Sequence, residues 1–169
     1  MERSRDARFE DLYRRHVAAI AAYALRRVSR EAAEDVVAET FLVAWRRLEE
    51  VPEPALPWLF GVARGTLANH HRSSRRREAL AERLRVELGE VTVAPVEKRL
   101  LDGLLTLSID DRELLLLTSW EGLSAGEAAE VLGCSAVACR IRLHRARKRL
   151  AAALDSLPYA AELHAKEAS

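Results

Sequence analysis

Arg140, Arg142, Arg145, Arg147, Lys148 and Arg149 are gathered in a stretch that holds no acidic residue between Ser135 and Ala151. A guanidinium is planar, always charged, and carries a fork of N–H donors that fits a phosphate or the O6/N7 edge of guanine bidentately. The cluster is therefore equipped for polyanion chemistry. The same stretch has an apolar rhythm. Cys139, Leu143, Ala146 and Leu150 recur at spacings of four, three and four, which predicts one buried helix face with the cations on the remainder. Upstream, Ser124 and Glu127 have the Ser-x-x-Glu spacing of a capping box, and Ala128, Val131 and Leu132 give a helix its apolar face. Gly133 can leave that helix at positive φ, and Ser135 can cap the next one. Helix, Gly-containing turn and basic helix is the layout of a DNA-reading helix-turn-helix. The residues leave a second reading open: a plain helical hairpin whose arginines cover a partner or a neighbouring domain.

Other clusters are weaker. Arg64, Arg72, Arg75, Arg76 and Arg77, with Asn69, His70 and His71, make a second basic segment. Adjacent histidines on a helix point about 100° apart, and no third ligand is near, so no metal is expected. Asp35 and Glu39 stand at i, i+4, opposite a Val37/Phe41/Leu48 stripe, and by themselves read as a solvated acidic face. Cys134 and Cys139 are not a CxxC pair and read as small buried residues in a reducing compartment. There is no phosphate-cradling Gly-rich loop, no Ser/His/Asp arrangement and no metal-ligand spacing; neither an enzyme nor a cofactor is expected.

These segments must be positioned by helices. The 169 residues are 49% hydrophobic and 31% charged, a globular balance, rich in Ala, Leu, Arg and Glu and sparse in Gly and Pro. Periodicity predicts helices over 9–29 and 31–48, with Phe9, Leu12, Tyr13, His16 and Ile20 on one face of the first. Three prolines (Pro52, Pro54, Pro57) make a stiff loop, and a third helix follows from about Trp58. Residues 78–97 read as a linker. The expected fold is all-α: an N-terminal helical bundle and a C-terminal helix-turn-helix bundle, with a frayed tail from Asp155. Net charge is only +1, but the charges are sorted into acidic and basic blocks, and local field steers binding. The N-terminus lacks a signal-peptide apolar core, and the longest apolar run, Val17–Leu25, is too short to span a bilayer. A cytoplasmic protein without membrane insertion is expected.

Three segments in order carry a family resemblance: AEDVVAETFLVAW (33–45), PWLFGVARGTLANHHRSSRRR (57–77), and DDRELLLLTSWEGLSAGEAAEVLGCS (110–135) with RLHRARKRL (142–150). Together they resemble the bacterial RNA polymerase sigma factors of the extracytoplasmic-function (ECF) type over roughly residues 9–152. Ala38, Val43 and Gly65 replace the family's frequent Gln, Arg and Asn. AVACRIR (136–142) replaces the commoner VGTVKSR. The resemblance implies sigma domain two over 1–77, a linker over 78–97, domain four over 98–154 and a tail over 155–169. It implies docking on the β′ clamp and β flap of core polymerase, promoter DNA as ligand, and an anti-sigma partner. Asp35, Glu39, Phe41, Trp45 and Arg46 would bind the core. Leu56, Trp58, Arg64, Asn69, His70, Arg72, Arg75 and Arg76 would hold and open −10 DNA, with a shape-fitted pocket at the Pro52–Leu56 loop and the start of the Trp58 helix. Ser135, Arg140, Ile141, Arg142, His144, Arg145 and Arg147 would face −35 DNA, with Ile141 limited to apolar contact with a thymine methyl or sugar. The linker acids Glu82, Glu87, Glu90 and Glu97 would mimic nucleic acid inside the polymerase or merely tether the domains. A stand-alone helix-turn-helix regulator and a protein-only adaptor are the competing readings.

Overall fold

Apolar residues at three- and four-residue spacing, with serines placed to cap them, turn most of this chain into helix. The computed structural model describes residues 2–69 and 95–156, and every regular element among them is helical, as the all-α reading expects. The chain divides into two units, the first holding residues 2–69 and the second 95–156.

In the first unit, α1 (Glu2–Leu25) and α2 (Arg30–Arg46) pack against each other, and α3 spans residues 56–69. Ser29 ends the α1–α2 turn: its side chain accepts from the Ala32 N–H, so α2 starts one residue before the periodicity suggests. Leu12, Ile20, Tyr23 and Ala24 of α1 are buried, as are Ala33, Val36, Thr40, Phe41 and Ala44 of α2. The buried stripe of α2 thus runs through Val36 and Thr40, while Val37 is half-buried. Thr40 is tolerated inside because its Oγ1 donates to the Val36 carbonyl at 2.7 Å. A short 3-10 turn, Leu48–Glu50, leads into the proline loop. Pro57 lies in the first turn of α3, where a missing N–H leaves no hydrogen bond unmade. Leu59, Phe60, Ala63 and Leu67 then bury one face of α3, with the Phe60 ring 5.0 Å from that of Tyr23.

The second unit contains α4 (Pro95–Leu105), α5 (Ile109–Ser119), α6 (Ala125–Leu132) and α7 (Ala136–Ser156). Pro95, inside the expected linker, opens α4, and α7 continues to Ser156, one residue past the expected start of the tail. Ser108 caps α5 through the Asp111 N–H. The capping box on α6 is complete: Ser124 accepts from the Glu127 N–H at 3.2 Å, and Glu127 accepts from the Ser124 N–H at 2.8 Å. Gly133 leaves α6 at φ 67°, and Ser135 accepts from the Ala138 N–H to start α7. α7 crosses α4 closely at Gly103. A Cβ there would lie 2.9 Å from Leu154 Cδ2 and 3.1 Å from Leu150 Cδ1. Among the described residues, no helix is long and apolar enough to cross a membrane.

Candidate nucleic-acid interface

The caps and the turn fix how α7 is presented. Cys139, Leu143 and Ala146 are buried and Leu150 is half-buried, so one side of α7 faces its own unit. At about 100° per residue, Val137, Ile141, His144 and Lys148 fall on the opposite side. Arg140 and Arg147 lie along one flank and Arg145 along the other, and all seven residues are exposed. Arg140, His144, Arg145, Arg147 and Lys148 form no ion pair among the described residues. This arrangement presents positive charge on both flanks of one helix, which suits a groove between two phosphate backbones. Val137, 58% exposed, was absent from the candidates, although its i, i+4 relation to Ile141 marks it as outward. Burial pushes the Cys139 thiol up, with Cys134 beside it reinforcing the shift, in keeping with a packing residue.

Arg142 is a correction. It was expected among the DNA-facing residues, but its Nε donates to Asp111 Oδ1 at 2.8 Å and its Nη2 lies 3.3 Å from Asp110 Oδ2. Arg149, of the same basic cluster, pairs with Asp111 Oδ2 at 3.1 Å. Asp111 is almost fully buried and needs these partners. Burial opposes its ionisation, but hydrogen bonds from Arg142 and Ser108 and the nearby charges of Arg149 and Arg142 prevail, holding its carboxyl below the usual range. The bond to Asp111 likewise raises Arg142. These two arginines fasten α7 to α5.

On α2, Asp35, Glu39, Leu42 and Arg46 fall on one meridian, opposite the core, and all four are exposed. Leu42, 46% exposed among charges, is a candidate the sequence reading missed. Phe41 is a second correction: at 3% exposure it cannot meet a partner directly. Its ring packs at 4.7 Å from Tyr13 and 6.4 Å from Phe9, so it supports the acidic face from behind. Trp45 is half-buried, 5.1 Å from Phe9, with the Arg5 guanidinium 4.9 Å over its ring and the Arg5 Nη2 donating to its carbonyl. These contacts tie Trp45 into the packing of α2 against α1.

On α3, Leu56, Trp58 and Arg64 are half-buried and Asn69 is exposed. The Arg47 guanidinium stands 5.8 Å from the Trp58 ring centre and is itself held by Glu50. A hollow beside the proline loop is lined by Arg8, Arg15, Pro52 and Glu53, among others, but by neither Leu56 nor Trp58. His70, Arg72, Arg75 and Arg76 lie outside the described residues, as do Glu82, Glu87 and Glu90. No cluster of metal-ligating side chains occurs among the described residues.

Comparison with known proteins agrees with this layout. The chain matches the family models Sigma-70 region 2 over residues 12–77 and Sigma-70, region 4 over residues 97–150. It is 33% identical to the RNA polymerase sigma factor NccH of Alcaligenes xylosoxydans xylosoxydans, over 88% of this chain and 87% of that protein. It is also 33% identical to the ECF RNA polymerase sigma factor SigL of Mycobacterium tuberculosis, over 86% of this chain and 88% of that one. Among solved structures it is similar to the sigma factor RpoE of Bartonella quintana in complex with the anti-sigma factor NepR. The TM-score is 0.64 at 26% identity, covering 89% of this chain and 98% of that one. Both sigma-70 regions lie in order along the chain, each on one of the two helical units, and the chain belongs to the ECF sigma factors of RNA polymerase.

Proposed function

We propose that the two units divide promoter recognition between them, the first joining core polymerase and opening the −10 element, the second reading the −35 element as duplex. The observation that supports this most is the pair of outward faces. α7 offers Arg140, Arg145, Arg147 and Lys148 unpaired among the described residues, and α2 offers Asp35, Glu39, Leu42 and Arg46. On α2, the charges steer encounter with the β′ clamp while the exposed Leu42 contributes apolar contact. On α7, Arg140 and Arg145 read base edges, and Arg147 positions the helix on phosphate. Ser135 and His144 flank these contacts, and the β flap receives the second unit. Leu56, Trp58, Arg64 and Asn69, with His70, Arg72, Arg75 and Arg76, serve the −10 strand. The chain acts by binding and not by catalysis, in the cytoplasm where polymerase and chromosome meet. An anti-sigma factor would control it by covering one or both faces; the similar RpoE of Bartonella quintana forms a complex with such a factor, NepR.

Run-off transcription with purified core polymerase and a genomic promoter library tests the whole reading. Transcripts from a distinct promoter set should depend on both this chain and core. Tight duplex binding with no core-dependent transcript would instead favour a stand-alone regulator. Replacing Asp35 and Glu39 together with Arg should weaken core binding by at least tenfold, measured by competition for core, with the fold intact by circular dichroism. Unchanged core affinity would refute the role of this face.

A further inference from the structure

The outward meridian of α7 is not purely cationic. Val137 and Ile141, 58% and 49% exposed, occupy its N-terminal end one turn apart, between the flanking arginines. Both are exposed at the centre of a charged face and lie outside the buried stripe that packs α7 onto its own unit. Resting on the reading of α7 as the −35 helix, we infer that Val137 and Ile141 together read the 5-methyl groups of two thymines in the −35 element.

The chemistry is restrictive. Neither side chain has a donor or acceptor, and the thymine methyl is the apolar group that B-DNA displays in the major groove. Set against guanine O6 or an exocyclic amine, either residue would strip water from a polar edge and return no hydrogen bond, so the pair selects by exclusion as well as attraction. Both side chains are β-branched and already stiff at χ1, so little rotamer freedom is lost on binding. Side chains at i, i+4 stand about 5–6 Å apart, and bases stack at about 3.4 Å along a strand. The two methyls therefore belong to neighbouring or next-but-one base steps. The occupant is a nucleic acid and not an apolar protein groove, because Arg140 and Arg147 on one side and Arg145 on the other line the pair with positive charge.

The test uses holoenzyme assembled from the full chain and core polymerase. A promoter duplex is selected from a library randomised at −35, and each −35 thymine is then changed singly to deoxyuridine, which removes the methyl and preserves every base-edge hydrogen bond. Two positions should each lose about fourfold in affinity, the expected effect of one buried methyl. Ile141→Ala and Val137→Ala holoenzymes should each become indifferent to deoxyuridine at one of those positions. If the wild-type holoenzyme binds the selected promoter specifically but is indifferent to uracil everywhere in −35, the methyl-reading pair is refuted while the sigma assignment of α7 stands. If the alanine variants keep the full uracil penalty, other residues read the methyls and the inference fails likewise. If no −35 sequence is enriched at all, the assignment of α7 fails first and takes this inference with it.

Discussion

Arg142 and Arg145 stand three residues apart on α7 with the same charge, and the environment of each decides its duty. Arg142 is turned to Asp111 and Asp110, whereas Arg145 faces outward with no acidic partner among the described residues. Removing one partner of a buried pair strands the other, so Arg142→Ala should destabilise the second unit by about 2–3 kcal/mol, below the fully buried case because Arg142 is itself partly exposed. Arg145→Ala should stay within about 0.5 kcal/mol of wild type and instead weaken promoter binding. Amide exchange across α5 to α7 measures the first effect and holoenzyme competition the second. The same pair sets an acid limit. Asp111 ionises below the usual carboxylate range when folded, so it contributes stability above its unfolded pKa and loses it as pH falls through the lower folded value. Exchange protection of α5 to α7 should therefore decline below about pH 4, and Asp111→Asn should be less protected at neutral pH and lack this component of the decline.

At the scale of elements, what was legible in the sequence was what is local. The Ser124–Glu127 box, Gly133 and Ser135 announce the helix-turn-helix because each acts on residues within one turn of itself. Ser124→Ala should cost about 1 kcal/mol, and Gly133→Ala about 1–2 kcal/mol, because an L side chain is strained at φ 67° even though nothing crowds the site. Thermal unfolding of the full chain, followed by the ellipticity of its helices, checks both. What was not legible depends on contacts far apart in sequence. Arg142 meets Asp111 across 31 residues, and nothing in the basic run distinguishes it from Arg145. The α2 stripe was misplaced at Val37 because Thr40, polar in sequence, is buried once its hydroxyl bonds the preceding turn. Periodicity placed Phe41 on the apolar stripe, and only the family resemblance placed it among the polymerase contacts. Its burial follows from Phe9 and Tyr13 on α1, which periodicity alone does not pair with it.

Across the whole molecule, 27 basic and 26 acidic side chains nearly cancel, yet the two described units present opposite character on α2 and α7. Promoter binding by the holoenzyme should therefore fall with added salt, by close to one power of salt for each phosphate neutralised. Arg147→Ala should make that slope shallower by about one with little change in promoter choice; a titration of affinity against potassium chloride reads both. Arg140→Ala, in contrast, should relax the choice of base. The Asp111 anchor has a last consequence, for evolvability. Because α7 is held by its buried stripe and by Arg142 and Arg149 on Asp111, the fold depends little on the outward residues. Exchanging Val137, Ile141 and His144 as a set should therefore leave the second unit folded. On the reading of α7 as the −35 helix, a duplicated copy of such a gene would need only a few substitutions on one helical meridian to address a different set of promoters, and the same positions are where an orthogonal variant for engineered circuits should be built.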